Sequence, residues 1–490
     1  MYQIYNQKIK NIKTDKLQCR IIFSLLSPVI ITSIVILVVL AFGAHLISLS
    51  KNSFYISDIV FAQKNNKSIV LHSPILKDGH LAIEMVAPGI NFPTSMSFLD
   101  TDDILVTEKN TGMVKRILNG TVIKQPILIL NVEKYWEGGL LGIAVDKSTD
   151  NGTPTYVYIY YSSPISEERE DYNEKNQNQT LDRNLLYRYE YDKGKLVNPK
   201  LVLKIPYPQN YTGIHNGGAV LIGPDKNIYL VAGDLGHPIT KAQNVKNNLP
   251  TNGSSAIFRI TKDGSPAEGN PFGGDMAKYY AYGLRNSFGM DFDPVTGKLW
   301  DTENGPWHAD EINFVEPGFN SGWKIVQGLS YLYNLYSKTQ FDPNSLVSVD
   351  GKGKYSEPEF VSNETLGITG IKFLSSDKLG SNYENDLFVG DFNNGNVYHF
   401  DLNSNRTGLS LQNKLVDNIA NNRDELAEVI FGQGFGAILD IEVGPDGYLY
   451  ILSLYEAKGK CSPNTAYGNC YDFSSNDIQG SIFRIVPINK

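Results

Sequence analysis

The chain has 490 residues and a formal net charge of −8 at pH 7. Nucleic acid backbones are bound by basic patches, so this acidic balance argues against nucleic acid as a partner. The sequence is rich in glycine, proline, asparagine, aspartate and tyrosine, a composition that favours many short strands joined by turns.

The first predicted element is a transmembrane helix at residues 21–44, a nearly apolar run without a charged residue. Roughly 20 such residues suffice to cross a bilayer. Residues 1–20 are rich in Lys and Arg, and basic flanks stay in the cytoplasm. We therefore predict a single-pass protein of the cell membrane with a cytoplasmic N-terminus. The alternative is a cleaved signal peptide, whose apolar core spans only about 7–15 residues.

Residues 45–80 form a polar tether in this interpretation, and residues 81–490 form one extracytoplasmic domain. The chain has three cysteines. Cys19 lies beside the predicted helix. It is either a lipidation site or a residue without a specific role. Cys461 and Cys470 lie close together in a loop, and outside the cell they could form a local disulfide.

Strand–turn–strand units recur through the domain at intervals of roughly 40–80 residues, a period typical of propeller blades. Six units are found, so the sequence predicts an all-β, six-bladed β-propeller. A long insertion at residues 327–359 interrupts the period, and loops at one face of a propeller carry its function. The units begin at Ser95, Leu140, Ala219, Ser287, Gly370 and Ile438.

Two motifs indicate proton and oxyanion chemistry. His215 lies in the glycine-rich segment 213–218, and Asp234 follows on the same unit, which suits a general base whose tautomer is held by a carboxylate. Arg285 and Asn286 lie together between glycines and offer donors to a carbonyl or anionic oxygen. The alternatives are an ordinary loop histidine and an arginine that only orders the end of a blade.

A third motif, residues 303–313, crowds carboxylates and turn carbonyls into a short loop. Oxygen ligands of this kind suit a hard cation such as calcium, although the spacing is not that of an EF-hand.

Together these motifs resemble the glucose/sorbosone dehydrogenase family, which includes soluble quinoprotein glucose dehydrogenases and aldose sugar dehydrogenases. The resemblance covers residues 87–487, with several motifs in the same order. These are Glu137-Gly-Gly-Leu-Leu-Gly142, His215-x-Gly217-Gly218, Gly233-Asp234, Ala242-Gln-Asn244, Gly283-x-Arg285-Asn286, Gly297-x-Leu299-Trp300, Glu303-x-Gly305-Pro306, Asp310-Glu-Ile-Asn313 and Gly444-Pro-Asp-Gly447.

The resemblance implies a six-bladed propeller that binds pyrroloquinoline quinone (PQQ) and calcium at the mouth of its channel. Aldoses are oxidised there at C1 to lactones, and the electrons pass to an external acceptor. His215 matches the base that takes the C1 hydroxyl proton, and Asp234 matches its supporting carboxylate.

The remaining site residues follow from the same resemblance. Arg285 and Asn286 match residues that contact the quinone oxygens, and Glu137 stands where glucose enzymes carry a Gln near sugar or cofactor. The predicted calcium residues are Gly305 and Pro306, through their carbonyls, and Asp310 and Glu311 at a structural calcium.

The sequence departs from the family where cations receive the carboxylates of the cofactor. Asn393 takes the place of a Lys, and Ala437 and Leu439 take the places of two Arg. Each charge-assisted hydrogen bond contributes about 1.5–3 kcal/mol, so binding of PQQ is predicted to be weaker. Ser321 also replaces a Tyr beside the structural calcium, and Lys324 replaces a Pro.

Two functions therefore stay open. One is a membrane-anchored quinoprotein sugar dehydrogenase with an altered cofactor site. The other is a propeller that has lost the PQQ site and acts as a surface binding or adhesion module, or as a calcium-dependent hydrolase. The number of cations around His215 distinguishes them.

Overall fold

The computed structural model describes residues 73–147, 154–164, 180–208, 213–236, 239–247, 249–337, 339–455, 473 and 475–488. The predicted transmembrane helix, the cytoplasmic segment, residues 45–72 of the predicted tether and all three cysteines lie outside these ranges. Among the residues within them, no helix combines the length and apolarity that a membrane span requires.

The described chain is all-β, as predicted, with a few helical turns. The strands are β1 (Ile75–Leu76), β2 (Leu81–Asn91), β3 (Pro93–Asp100), β4 (Asp103–Glu108), β5 (Met113–Leu118), β6 (Thr121–Val122), β7 (Leu128–Ile129), β8 (Leu140–Asp146), β9 (Tyr156–Ser162), β10 (Thr180–Asp192), β11 (Lys195–Pro208), β12 (Val220–Ile222), β13 (Ile228–Ala232), β14 (Ala256–Ile260) and β15 (Tyr279–Tyr282). They continue with β16 (Ser287–Phe292), β17 (Leu299–Glu303), β18 (Asp310–Val315), β19 (Phe319–Asn320), β20 (Lys354–Tyr355), β21 (Phe360–Ser362), β22 (Ile368–Phe373), β23 (Leu387–Asp391), β24 (Asn396–Phe400), β25 (Ile419–Ala420), β26 (Ile430–Gln433), β27 (Ala437–Val443), β28 (Leu449–Leu454) and β29 (Gln479–Pro487). The helices are α1 (Ser330–Ser337) and α2 (Arg423–Leu426), with 3-10 turns at Lys241–Gln243, Gly274–Met276, Pro343–Ser345, Val349–Gly351 and Asn413–Leu415.

These strands form six sheets in a propeller-like arrangement. Sheet I is β3-β4-β5-β6 with β7 on β5, sheet II is β8-β9-β10-β11, sheet III is β12-β13-β14-β15-β19-β20, sheet IV is β16-β17-β18-β21-β25, sheet V is β22-β23-β24-β26-β1, and sheet VI is β27-β28-β29-β2. The first strand of each sheet contacts the first strand of the next, and β27 returns to β3, so the six inner strands close a ring.

A hydrophobic cluster lies between each neighbouring pair of sheets. Strand β13 shows why the sequence folds this way. Successive side chains of a strand point to opposite faces, so Ile228 and Leu230 pack towards sheet II while Tyr229 and Val231 pack towards sheet IV. The second strand of every sheet is buried along nearly its whole length, and most of these strands are mainly apolar, whereas β17 also buries Asp301, Thr302 and Glu303.

The two ends of the described chain meet in the same sheet. Strand β2 pairs antiparallel with β29, from Leu81 opposite Pro487 to Asn91 opposite Gln479. Strand β1 likewise pairs with β26 of sheet V. Sheet VI therefore gains its outermost strand only when the first long strand and the last strand pair.

Candidate active site

The site lies at one end of the central channel. The six inner strands all begin at that end, so the loops that precede them lie there together. The loops that lead into the inner strands carry Phe92, Glu137, His215, Asn286 and Gly367. The second strands run antiparallel to the inner strands and therefore end at the same place. The loops that follow β4, β17 and β23 thus contribute further residues to the site. One channel cavity of about 330 Å³ receives the residues of both groups.

His215 is held by contacts at its backbone and its ring. Its φ of 57° is left-handed, and its backbone N–H donates to Glu137 Oε2 at 2.5 Å. The ring nitrogen Nδ1 lies 2.6 Å from Asp234 Oδ1. Because Nδ1 is engaged and the residue lines the cavity, Nε2 is the nitrogen available to a ligand.

Asp234 is buried and fully engaged. Its Oδ1 also accepts the Gly236 N–H at 2.9 Å, and its Oδ2 accepts Trp323 Nε1–H at 2.8 Å. Burial acts to raise the pKa of this carboxyl, but the hydrogen bond and charge of His215 outweigh it and hold the pKa below its ordinary value. Asp234 therefore stays ionised and orients the imidazole.

Arg285 reaches the same cavity from the loop before β16. Its Nη1 donates to the carbonyls of Asn304 at 2.8 Å and Gly305 at 2.9 Å, and its guanidinium lies 5.6 Å from the ring centre of Trp323. Burial lowers its pKa from the ordinary value, while Asp234 and other carboxylates act in the opposite direction. Trp323 thus contacts both Asp234 and Arg285, a link that the motifs did not reveal.

Gly233 allows the His215 and Arg285 loops to meet. A Cβ at this position would lie 2.6 Å from the carbonyl oxygens of both residues, closer than real Cβ atoms come. The next residue, Asp234, donates its N–H to the Arg285 carbonyl at 2.7 Å. The Gly-Asp pair therefore positions the predicted base and the predicted oxyanion donor together.

The predicted calcium loop concentrates oxygen atoms. The carbonyls of Asn304 and Gly305 both face the cationic Arg285. Gly305 packs so closely that a Cβ would lie 1.8 Å from the His308 carbonyl oxygen. Asp310 is buried and accepts the Gly305 N–H at 2.9 Å through Oδ1, so it orders this loop.

Asp310 and Glu311 are both engaged by backbone. The other oxygen of Asp310 accepts N–H groups from Leu366 and Gly367 at 2.7 and 2.8 Å, and burial raises its pKa to about 6. Glu311 Oε1 accepts the backbone N–H of Gly328 at 2.5 Å and the side-chain N–H of Gln327 at 2.8 Å. Their roles at a structural calcium, and the roles of Gly305 and Pro306 at a separate, catalytic calcium, stay predictions.

Asn286 and Asn393 differ in position. Asn286 lines the cavity, and its buried Oδ1 has no hydrogen-bond partner within the described part of the chain. Asn393 donates to the Thr365 carbonyl at 3.0 Å and does not line the described cavity. Leu439 lines it, whereas Ala437 is buried in the apolar cluster beside Leu439 and Phe92. The replaced family cations therefore leave an apolar wall.

The motifs missed a second cation. Lys109, after β4, lines the cavity together with Arg285, while Lys324 lines a separate cavity of about 320 Å³ with His308 and Gln327. They also missed a set of aromatic residues. The phenyl rings that line the cavity are Phe92, Phe288, Phe392 and Phe473. A lone Lys after a strand and scattered Phe residues carry no spacing signal that could have identified them.

Buried acids lie behind the predicted calcium loop, on the cross-strand pairs Asp301–Asn313 and Glu303–Glu311. Glu303 accepts the Arg285 N–H at 2.6 Å and the Ser321 hydroxyl at 2.7 Å. The pKa of Glu303 is raised well above its ordinary value. Burial is the main cause, and the nearby carboxylates of Glu311 and Asp301 act in the same direction.

Comparison with known proteins gives concordant results. A sequence model of the glucose / sorbosone dehydrogenase family matches residues 90–461. Quinoprotein glucose dehydrogenase B of Acinetobacter calcoaceticus is 30% identical over 280 residues, which are 52% of this chain and 55% of that protein. Aldose sugar dehydrogenase YliI of Escherichia coli is 24% identical over 382 residues, 76% of this chain and 89% of that protein. The structure of the PQQ-bound form of an aldose sugar dehydrogenase from Streptomyces coelicolor, 22% identical, is similar in fold with a TM-score of 0.55, over 84% of this chain and all of that one.

Proposed function

The chain belongs to the glucose/sorbosone dehydrogenase family, and from that premise we propose that it oxidises the C1 hydroxyl of aldoses to lactones with PQQ. It is a sugar dehydrogenase in kind. The observation that carries the finer proposal is the His215–Asp234 pair at the channel cavity, 2.6 Å apart. We further propose that the six sheets are the six blades of a closed propeller, supported by the ring of inner strands.

The protein side of the reaction follows from the geometry of His215. Nδ1 faces the ionised Asp234, so Nε2 carries the lone pair and accepts the proton of the C1 hydroxyl. Asp234 stabilises the imidazolium that results. Arg285 and Asn286 lie on the same cavity and supply donors to oxygen atoms that become electron-rich.

The cavity residues fit PQQ in part. The volume of about 330 Å³ is within the range of small-molecule sites, roughly 300–1,000 Å³. Phenyl rings suit a planar ring system, and two cations, Arg285 and Lys109, line the described cavity. Three acidic residues, Glu137, Asp440 and Glu442, line it as well, so the fit to a cofactor with carboxylates is partial. When bound, PQQ would supply the two-electron oxidant that takes the C1 hydrogen with its electron pair.

The Gly305 loop fits calcium through the chemistry of its donors. Carbonyl oxygens are hard ligands, and those of Asn304 and Gly305 already face a positive charge. We propose that Gly305 and Pro306 hold a calcium ion by their carbonyls, where it would act as a Lewis acid.

Reconstitution tests this function. The chain from residue 50 onward would be supplied with calcium and PQQ and assayed with a dye acceptor on a panel of aldoses. We expect His215→Ala to lower kcat by a factor of about 10² to 10⁴, the usual contribution of a general base, while PQQ binding is retained. His80→Ala is the matched control, because the His80 side chain is 83% exposed and, among the described residues, pairs with Asp78 alone.

The alternative function is a propeller without the redox cofactor, acting in surface binding, adhesion or calcium-dependent hydrolysis. The apolar wall at Leu439, together with the position of Asn393 outside the described cavity, favours it. No uptake of PQQ at high micromolar concentration would support this alternative and contradict the dehydrogenase proposal.

We also propose that the domain is anchored outside the membrane by residues 21–44 and passes electrons to an external acceptor. The support is the apolar run and its basic flank in the sequence. Protease added to intact cells should digest the domain, and complete protection would contradict this orientation.

A further inference from the structure

An aromatic wall forms part of the channel cavity. The ring of Phe473 stacks on that of Phe392, with centres 5.8 Å apart and planes 23° apart, and it lies 6.0 Å from the ring of Phe92. All three rings line the cavity. Extended aromatic surface of this kind suits a flat, conjugated ligand.

Lys109 lies at the edge of this wall. Its side-chain nitrogen Nζ is 5.3 Å from the centre of the Phe92 ring and donates to Asn110 Oδ1 at 2.9 Å and to the Phe473 carbonyl at 3.1 Å. An ammonium group has three donors, so these contacts leave one. Asn110 also binds the Phe473 carbonyl, at 2.9 Å, so the lysine and the wall are held as one unit.

The charge of Lys109 has no ion-pair partner in the described part of the chain. The nearest influences are Glu137 and Glu133. Glu137 accepts the His215 N–H, and Glu133 pairs with Arg183 at 2.5 Å. A buried ammonium without a counterion is costly. Burial accordingly lowers the pKa of Lys109 to about 8, against the opposing effect of the two glutamates.

We infer that Lys109 and the wall of Phe92, Phe392 and Phe473 form a subsite for the carboxylate-bearing end of a planar aromatic ligand. The identification of that ligand as PQQ rests on the proposed function. Leu439, at a position where the family resemblance implies an arginine, packs in the same apolar cluster as these three rings. A charge-assisted hydrogen bond from Nζ and stacking on the phenyl rings would together hold the ligand.

Binding of PQQ in calcium, followed by tryptophan fluorescence, tests the subsite. We expect Lys109→Met to weaken binding about 10- to 100-fold, and Lys109→Arg to retain most of the affinity. The matched control is Lys115→Met, in the same sheet, whose Nζ donates to the Lys124 carbonyl and to no other residue that the structure describes. The trimethyl ester of PQQ, which carries no carboxylate charge, should bind wild type and Lys109→Met equally.

The pH profile separates the charge of Lys109 from a structural role. Wild-type affinity should fall as pH rises above about 8, because the ammonium is lost there, and Lys109→Met should lack this decline. Glu137 and Glu133, the carboxylates that face Lys109, are unchanged in both proteins.

The outcomes separate the subsite from the function. If wild type binds PQQ and Lys109→Met binds it equally well, the subsite is wrong while the function stands. If wild type binds no PQQ, the function fails, and quinoline-2,4-dicarboxylate becomes the probe: selective loss of its binding in Lys109→Met supports the subsite, and equal or absent binding overturns it. Should Lys109→Met not fold, Phe392→Ala must weaken both PQQ and its ester, and unchanged binding would overturn the proposal.

Discussion

At the scale of single residues, the buried carboxyl groups of the site differ in whether a hydrogen-bond partner stabilises their ionised form. His215 and Asp234 form a hydrogen-bonded pair that is nearly enclosed, whereas the buried carboxyl oxygens of Asp301 have no partner within hydrogen-bond distance among the described residues. The first arrangement keeps a carboxylate ionised and the second opposes ionisation. The two aspartates should therefore affect stability with opposite dependence on pH.

Asp234→Asn removes the ionised partner of His215. A carboxyl whose pKa is lowered by folding stabilises the fold above its ordinary pKa of about 3.9, and this stabilisation is lost as pH falls through the lower folded value. We expect the variant to be less stable than wild type at pH 7 by about 1–3 kcal/mol, the cost of a lost charged hydrogen bond. Thermal melts should show the difference shrinking below about pH 4; a gap independent of pH would contradict this.

Asp301→Asn should act in the other direction. Burial raises the pKa of Asp301 to about 7, so its ionisation costs folding free energy, and stability falls as pH rises through that value. The variant should be more stable than wild type above pH 7, by on the order of a few kcal/mol, because its amide can also donate to the unpaired Asn313 Oδ1 across the strands. Asp102→Asn, at an exposed position, is the control. Equal melting temperatures of wild type and Asp301→Asn at pH 8 would contradict the prediction.

Residue types alone predicted part of this site. His215, Asp234 and Arg285 could be picked out from the sequence because a histidine, a carboxylate or an arginine in a glycine-rich loop is typical of proton transfer or oxyanion binding. The sequence could not show that Trp323 donates to Asp234, since 89 residues separate them. Nor could it show Lys109, whose importance comes only from the cavity that the fold builds around it.

At the scale of elements, the site is a set of loops that enter the inner strands at one end. Its precision depends on close backbone approach between loops of different sheets. Gly233 is the clearest case, because it lies against the carbonyls of both His215 and Arg285. The motif Gly233-Asp234 could be read from the sequence, but the loop that it packs against could not.

Gly233→Ala should separate these two loops. Its Cβ would meet the carbonyl oxygens of His215 and Arg285 at 2.6 Å, so one or both loops must shift. A displacement of about 1 Å can cost about 100-fold in rate, and we expect a loss of that order in kcat with the fold retained. Gly79→Ala is the control, because its Cβ would meet nothing within 4 Å. Full activity in Gly233→Ala would show that the loops tolerate the added atom.

At the scale of the whole molecule, the repeats predicted an all-β propeller but not how the first long strand and the last strand of the described chain pair. The unit beginning at Ile438 looked like its predecessors, yet the fourth strand of sheet VI comes from the other end of the chain. The sequence of either strand does not indicate which strand it pairs with, because β2 and β29 each read as an ordinary strand with alternating apolar residues.

Phe483→Ala tests whether this closure stabilises the whole domain. Phe483 is 2% exposed on β29, between β28 and β2, and its truncation should cost about 3–5 kcal/mol. The four tryptophans all lie outside sheet VI, so their fluorescence should report earlier unfolding of the rest of the ring. Val295→Ala, at a side chain that is 59% exposed, should change little. A change confined to sheet VI, with the tryptophan transition unaltered, would contradict a closed ring.

The pairing of β2 with β29 also bears on how the protein is made. Strand β2 leaves the ribosome long before its partner, because cross-strand neighbours such as Glu84 and Arg484 lie 400 residues apart in the sequence. Until then one long strand keeps an unpaired edge and sheet VI lacks its outer strand, a state prone to aggregation. The nascent domain must therefore be protected for almost the whole of its synthesis, so we expect its yield in cells to depend on chaperones more than the stability of the finished ring would suggest.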